Sequence, residues 1–316
     1  MNMKVALTEK WSCQIDNCLK QLLSSGFHFS KRTDLQSALI GGGRLADDMQ
    51  MKLAIKYYNI RNRIPTQRKR MIRECNGISC PAHLQLGFEM LKQELKDGCC
   101  LIPRMSRATK DFDACDGMLN DWGIQHFHLG VSPDVNHPDF VQGDNHIAYV
   151  YMTDDVAYII TIDVHGKWGE KALLEKLLMD FPNALDDWKT DAHELAFEAD
   201  GKERESLRKA HVNSAVVLNG LAYMRPNGGE ALDGSSASAV WDALQDRKFL
   251  VRVCDTVNDM LIKCGWKDID ICNSRLINFR RGPSWFVQME KVDGSSCALI
   301  SLENGMLGAR VATRVV

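Results

Sequence analysis

Five of the chain's nine histidines lie between positions 126 and 165: His126, His128, His137, His146 and His165. Imidazole titrates near neutrality and serves as acid, base or metal ligand. Asp163 and Lys167 flank the last of them. Residues 123–130 are predicted as a strand. With a side-chain period of two, His126 and His128 share one face, and Gln125, Phe127 and Leu129 the other. Phe127 and Leu129 then face the core. Along 156–164, and continued to His165, the same alternation puts Ile159, Thr161, Asp163 and His165 on one face. Tyr158, Ile160, Ile162 and Val164 fall on the opposite one. Two same-face pairs result, His126 with His128 and Asp163 with His165. If the strands stand side by side in register, all four groups meet on one sheet surface.

Two chemistries fit such a surface. In acid–base cleavage of a phosphodiester, with His126, His128, Asp163, His165 and Lys167 as the candidate residues, two imidazoles shuttle protons while Lys167 or an arginine stabilises developing negative charge. In a metal centre, His126, His128, Asp163 and His165 are nitrogen and oxygen ligands. No H-x-x-x-H or H-E-x-x-H spacing supports the second. The plainer alternative is a half-exposed sheet face, or core histidines bonded to backbone. All three stay open at the level of sequence.

Residues 52–73 carry eight basic side chains and no acidic one: Lys52, Lys56, Arg61, Arg63, Arg68, Lys69, Arg70 and Arg73. Tyr57 and Tyr58 are interleaved. Such a stretch suits phosphate neutralisation with stacking on bases. A solvated helix face paired with the acidic segment 180–205 is the alternative. Arg280 and Arg281, beside Phe279 and Trp285, form a smaller candidate contact within a segment predicted as a loop. Cys75, Cys80 and His83, with Cys99 and Cys100, admit a zinc reading at loose spacing, with free buried thiols as the ordinary alternative. No G-x-x-x-x-G-K-[ST] and no G-x-G-x-x-G after a strand is present, so no nucleotide cofactor is expected. No G-x-S-x-G elbow supports a serine hydrolase.

The elements that must position these residues follow from periodicity. The chain has 316 residues, is 45% apolar and carries a formal net charge of -2. That is long for one core, and it leaves nucleic-acid contact to local patches. Residues 1–104 read as a helical region, with stops at Gly26, at Gly41-Gly42-Gly43, at Pro65 and at Gly98. Residues 105–190 read as a small antiparallel sheet with flanking helices. A short helix is predicted over 111–120 and strands over 123–130, 146–152 and 156–164. Thr153-Asp154-Asp155 joins the last two strands, and a helix follows over 169–179. Residues 191–316 read as a C-terminal α+β region. Its helix over 202–210 precedes a strand over 215–222, and a long helical stretch covers 237–265. Strands at 285–292, 297–302 and 306–311 make a meander, with Asp293-Gly294 and Asn304-Gly305 at its turns. The class is therefore α+β. Eleven cysteines, an odd number, and an N-terminus without an apolar run point to a cytoplasmic protein with free thiols. No stretch is long and apolar enough for a membrane span.

The central region is similar to the RelE/ParE-like toxin superfamily, small ribosome-dependent ribonucleases or gyrase poisons. The resemblance rests on a short helix ending at Leu119, on the strand Trp122-Gly-Ile-Gln-His-Phe-His-Leu-Gly130, and on the pair 146–152 and 156–165 closing at His165-Gly166-Lys167. It covers roughly 60 residues, about 110–170. In that family the strand after the helices begins W-x-I/L-R, and a cation near the end of the sheet contributes to RNA cleavage. Here Gln125 or His126 stands in place of the arginine, and residues 131–145 are an insertion. The resemblance implies an RNA-cleaving toxin or phage-defence effector, with RNA ahead of DNA as partner. The alternatives are a non-enzymatic nucleic-acid-binding or assembly subunit, pairing through the edge of the meander or as a homo-oligomer, and a metal-dependent hydrolase.

Overall fold

The computed structural model describes residues 3–41, 46–166, 171–267, 270–271, 274–280, 285–303 and 306–313. In chain order its elements are α1 (Met3–Ser24), α2 (Thr33–Gly41), α3 (Asp47–Arg63), β1 (Met71–Glu74), α4 (Gln85–Asp97), α5 (Gly117–Trp122), β2 (Ile124–His128), β3 (His146–Met152), β4 (Val156–Val164), α6 (Ala172–Asp180), α7 (Gly201–Lys209), β5 (Val216–Leu218), β6 (Leu221–Tyr223), α8 (Ala237–Lys263), β7 (Ser274–Arg280), β8 (Trp285–Lys291), β9 (Ser296–Glu303) and β10 (Met306–Thr313). The fold is α+β. Two compact units result: residues 23–36 with 55–241, and residues 1–22, 37–54 and 242–316. The positions near 104 and 190, where the sequence changes character, both lie inside the first of these. Among the described residues no helix is long and apolar enough to cross a membrane.

The first unit is built on a four-stranded sheet of order β1-β4-β3-β2. β2, β3 and β4 are antiparallel neighbours. β1 pairs parallel with β4, so the N-terminal region read as helical also contributes an edge strand. β3 is central, and Ile147 to Tyr151 are buried without interruption, as expected of a strand covered on both faces. One face receives α4, whose Phe88, Leu91 and Leu95, with Leu84 just before the helix, recur at helical spacing against Phe127, Leu129, Ala148, Val150 and Ile162. The other receives the leucines of α6 (Leu173, Leu174, Leu177 and Leu178) and the small β5–β6 hairpin, packed on Trp122, Ile124, Ile147, Tyr149 and Tyr151.

At α4 the contact with the sheet is closest at Gly87. A Cβ there would fall 1.6 Å from the Leu129 carbonyl oxygen. Alanine is the better helix former, but the clash with backbone dominates. Gly87→Ala is expected to destabilise by about 2–3 kcal/mol in urea unfolding; an unchanged midpoint would contradict the close packing.

Three elements differ from the expectation. The register of β3 and β4 shifts between Tyr149 and Val150, where Tyr149 faces Thr161 but Val150 faces Ile159. The extra residue, Ile160, makes a bulge that breaks strict alternation. Ile159 therefore packs on the α4 side with Ile162, while Ile160 joins the opposite core. The helix expected over 111–120 is shorter: Asp116 caps it by accepting from Leu119 N, and it runs from Gly117 to Trp122. The strand expected over 215–222 is a hairpin that turns at Asn219 (φ 50°) and Gly220 (φ 74°).

The second unit contains the meander, ordered β10-β9-β8-β7. Trp285, Val287 and Met289 alternate inward on β8, and Ala298 and Ile300 on β9. The segment around Arg275, read as a loop, is strand β7, paired with β8 from Ser274↔Lys291 to Arg280↔Phe286. In the same unit Trp11 Nε1 donates to Asp246 Oδ2 at 3.1 Å.

Candidate active site

Strand pairing decides which ionisable groups meet. His126 stands opposite Tyr149, and His128 opposite Ile147. Ile147 in turn faces Asp163. β4 ends at Val164, and His165 follows as the chain bends, its N–H donating to the Asn145 carbonyl at 3.2 Å. This brings the His165 ring beside the two histidines of β2. Its centroid lies 6.1 Å from that of His126 and 5.4 Å from that of His128. Three imidazoles thus cluster at one end of the sheet. Asp163 is level with His128 but separated from it by β3, and its Oδ1 accepts from Val164 N at 2.7 Å. Lys167 lies outside the described residues.

The three histidines differ in environment. His126 is 12% exposed, with Asp116 Oδ2 3.9 Å from its Nδ1. His165 is exposed, and partial burial with the His126 ring nearby pushes its pKa down. His128 sits deepest in the cluster electrostatically. Burial, then His126, His165 and Arg107, push its pKa down to about 4. Its Nδ1 is buried without a hydrogen-bond partner among the described residues.

The neutral state of His128 has a consequence for stability. An unfolded chain returns this imidazole to its ordinary value of 6.5. Between that pH and about 4 the unfolded state takes up a proton that the folded state refuses. The stabilisation is therefore complete above pH 6.5 and is lost as the pH falls toward 4. The loss is at most ~3 kcal/mol. Unfolding free energies measured at pH 7.5 and pH 4.5 should fall more steeply for the native chain than for His128→Gln; parallel slopes would count against a buried neutral imidazole.

His126 and His165 line a cleft of about 600 Å³ that also touches Arg63, Ser106, Cys115, Asp116, Glu205, Arg208 and Lys209. Each wall has an anchor. Arg63 is buried and donates to the carbonyls of Ala108, Thr109 and Asp111 at 3.2, 3.3 and 2.9 Å, and also to that of Ala114. It staples the 108–114 segment that forms one wall. Asp116 belongs to the cap of α5. The opposite wall is α7, started by a capping box in which Asp200 and Glu203 exchange side-chain and backbone hydrogen bonds. Its inward residues Glu205, Arg208 and Lys209 share a face by their i, i+3, i+4 spacing. Arg208 Nε donates to Asp121 Oδ2 at 2.5 Å, and Arg225 pairs with the other Asp121 oxygen. Asp121 is fully buried in α5, so one carboxylate ties α7 to the helix that leads into β2.

The expected basic surface separates into different roles. Arg63 and Arg70 are buried, and Arg70 donates to the carbonyls of Thr153 and Thr66 at 2.9 and 3.0 Å. Arg68 is paired with Asp154 and Asp155. Arg61, Lys69 and Arg73 are exposed, with Arg61 5.7 Å from the Tyr58 ring centroid. The stretch is therefore no continuous phosphate rail, because two of its guanidiniums saturate backbone carbonyls. Arg280 closes β7 in the other unit, and Arg281 lies outside the described residues. The zinc alternative dissolves into separate environments. Cys75 is buried beside α6, where burial and Asp180 push its thiol up to about 12. His83 Nε2 instead lies 3.2 Å from Asp144 Oδ2. Among the described residues no group of three or more His, Cys, Asp or Glu is arranged to hold a metal ion.

Sequence reading missed Arg208 and Lys209, which line the cleft with His126 and His165, and the exposed Arg107, which acts electrostatically on His128. The capping box marks α7, but no local pattern says that a helix some 80 residues after β2 will face it. The chain matches no family model, no curated protein and no solved structure.

Proposed function

We propose that this protein cleaves RNA by metal-free acid–base chemistry in the cleft between β2, the end of β4 and α7. The observation that carries the reading is the cluster of imidazoles, with two of them, His126 and His165, opening onto a cleft that also contains Arg208 and Lys209. His165, exposed and shifted toward the neutral form, acts as base. It removes the ribose 2′-OH proton as O2′ attacks phosphorus. The P–O5′ bond breaks, and His126, facing the Asp116 carboxylate, donates the proton that the departing O5′ takes up. The products are a 2′,3′-cyclic phosphate and a 5′-hydroxyl. Lys209, and Arg208 on its Asp121 anchor, stabilise the extra charge on the phosphoryl oxygens. His128 stands behind the pair and keeps it in place as a neutral, bulky neighbour.

The likeness of the 110–170 region to RelE/ParE-like toxins supports the same substrate class and a toxin or phage-defence setting in the cytoplasm. Purified protein, with EDTA present, should cleave an all-RNA oligonucleotide and leave its all-2′-deoxy counterpart intact. Equal cleavage of both would remove the 2′-OH mechanism, because a deoxyribose offers no nucleophile.

A further inference from the structure

Glu205 favours the charge on Arg208 one turn on, and it also stands in a cleft proposed to hold a polyanion. This carboxylate is exposed, lines the cleft and lies on the same α7 face as Arg208 and Lys209. Its helix is fixed from both ends. The Asp200–Glu203 capping box sets the N-terminus, and the Arg208–Asp121 pair pins the face one turn later. The approach of α7 to α5 is also tight, since a Cβ on Gly117 would fall 2.8 Å from Arg208 Cδ. The backbone that carries Glu205 is thus fixed, about one helical turn from the cations that suit a phosphate. The facing wall brings Ala108 and Ala114, small apolar groups against which a flat ring can lie.

We infer that Glu205 reads the nucleobase and selects guanine. A carboxylate accepts through two oxygens and offers no donor. Guanine presents two adjacent donors, N1–H and N2–H, on its Watson–Crick edge, and meets a carboxylate with two parallel hydrogen bonds. Adenine and cytosine present one exocyclic amino group next to an acceptor nitrogen, and uracil a single N–H between two carbonyls. Each of these sets a lone pair against Glu205. On this assignment α7 orients the nucleotide, with base toward Glu205 and phosphate toward Lys209 and the imidazoles.

This inference rests on the proposed cleft as a nucleotide site, and its test does not require turnover. Binding of guanosine, inosine and adenosine 3′-monophosphates to the full-length protein is measured by calorimetry. The expected guanosine-over-adenosine preference is about 10-fold or more, as for a bidentate base contact. Inosine, which lacks the N2 amino group, should fall between them. Glu205→Gln keeps shape and removes one acceptor, so the guanosine-to-adenosine ratio should collapse toward one. Equal affinities for the wild-type chain, or an unchanged ratio in Glu205→Gln, would overturn the assignment. A guanosine preference in a protein that cleaves no RNA leaves this inference standing and removes the catalytic one. Cleavage of RNA without base preference does the reverse.

Discussion

Replacing His126 or His165 by alanine should lower RNA cleavage by about 10²–10⁴-fold each, the usual contribution of a positioned acid or base, while leaving the urea midpoint close to that of the native chain. His165 is exposed and makes its main-chain bond through backbone N–H, which alanine retains. His126 faces the cleft. The two losses should not add, because a base without its acid, or the reverse, already forfeits the concerted proton transfer. The double variant is expected within about tenfold of the weaker single variant. Asp163→Asn should cost far less, since β3 stands between that residue and His128 and its carboxylate is bonded to its own backbone neighbour. Single-turnover rates on one oligonucleotide decide all four; full activity in both histidine variants would leave the cleft without its chemistry.

The second large effect concerns stability. Asp121 is fully buried and carries Arg208 on one oxygen and Arg225 on the other. Arg225 also donates to Ser214 O at 2.9 Å and to Ser214 Oγ at 3.2 Å, and burial pulls its pKa down to about 10. Asp121→Ala strands two guanidiniums in a poorly solvated place, and the expected loss is about 3–5 kcal/mol. The loss follows from the unpaired cations rather than from any net worth of the pair. Asp121→Ala combined with Arg208→Met and Arg225→Met should therefore recover much of it. Denaturant unfolding separates these results: a mild single variant, or a triple variant no better than the single, would contradict the account. In the single variant cleavage should fall too, because α7 loses its tether to α5 and with it the placement of Lys209.

The contrast between these two sites marks what the chain discloses by itself. β3 and β4 are legible to the residue, since their β-branched and aromatic runs are bounded by turn residues and need no distant partner. The same-face pairing of His126 with His128 follows from the pleat alone. The meeting of that pair with His165 does not, because it depends on a bulge at Ile160 and on the bend after Val164, and strict alternation hides both. The Asn219-Gly220 turn is a signal in the sequence, but the apolar residues on either side of it have the composition of one continuous strand. The basic stretch misled for a physical reason. Whether an arginine faces solvent depends on which carbonyls the tertiary fold leaves unbonded, and the carbonyls held by Arg63 lie some 50 residues downstream. Asp121, Arg208 and Arg225 are likewise invisible as a unit, being three charged residues in separate segments until the fold buries them together.

The most direct test of the account is the pH dependence of RNA cleavage, read together with the end group formed. The wild-type rate should follow a bell with both limbs set by imidazoles, and the product should carry a 2′,3′-cyclic phosphate in the presence of EDTA. His165→Ala should remove the acidic limb, where the base is lost to protonation, and His126→Ala the alkaline one. A profile that keeps both limbs in both variants, or a product with a 5′-phosphate and a free 3′-hydroxyl, would contradict the claim that these histidines perform the reaction.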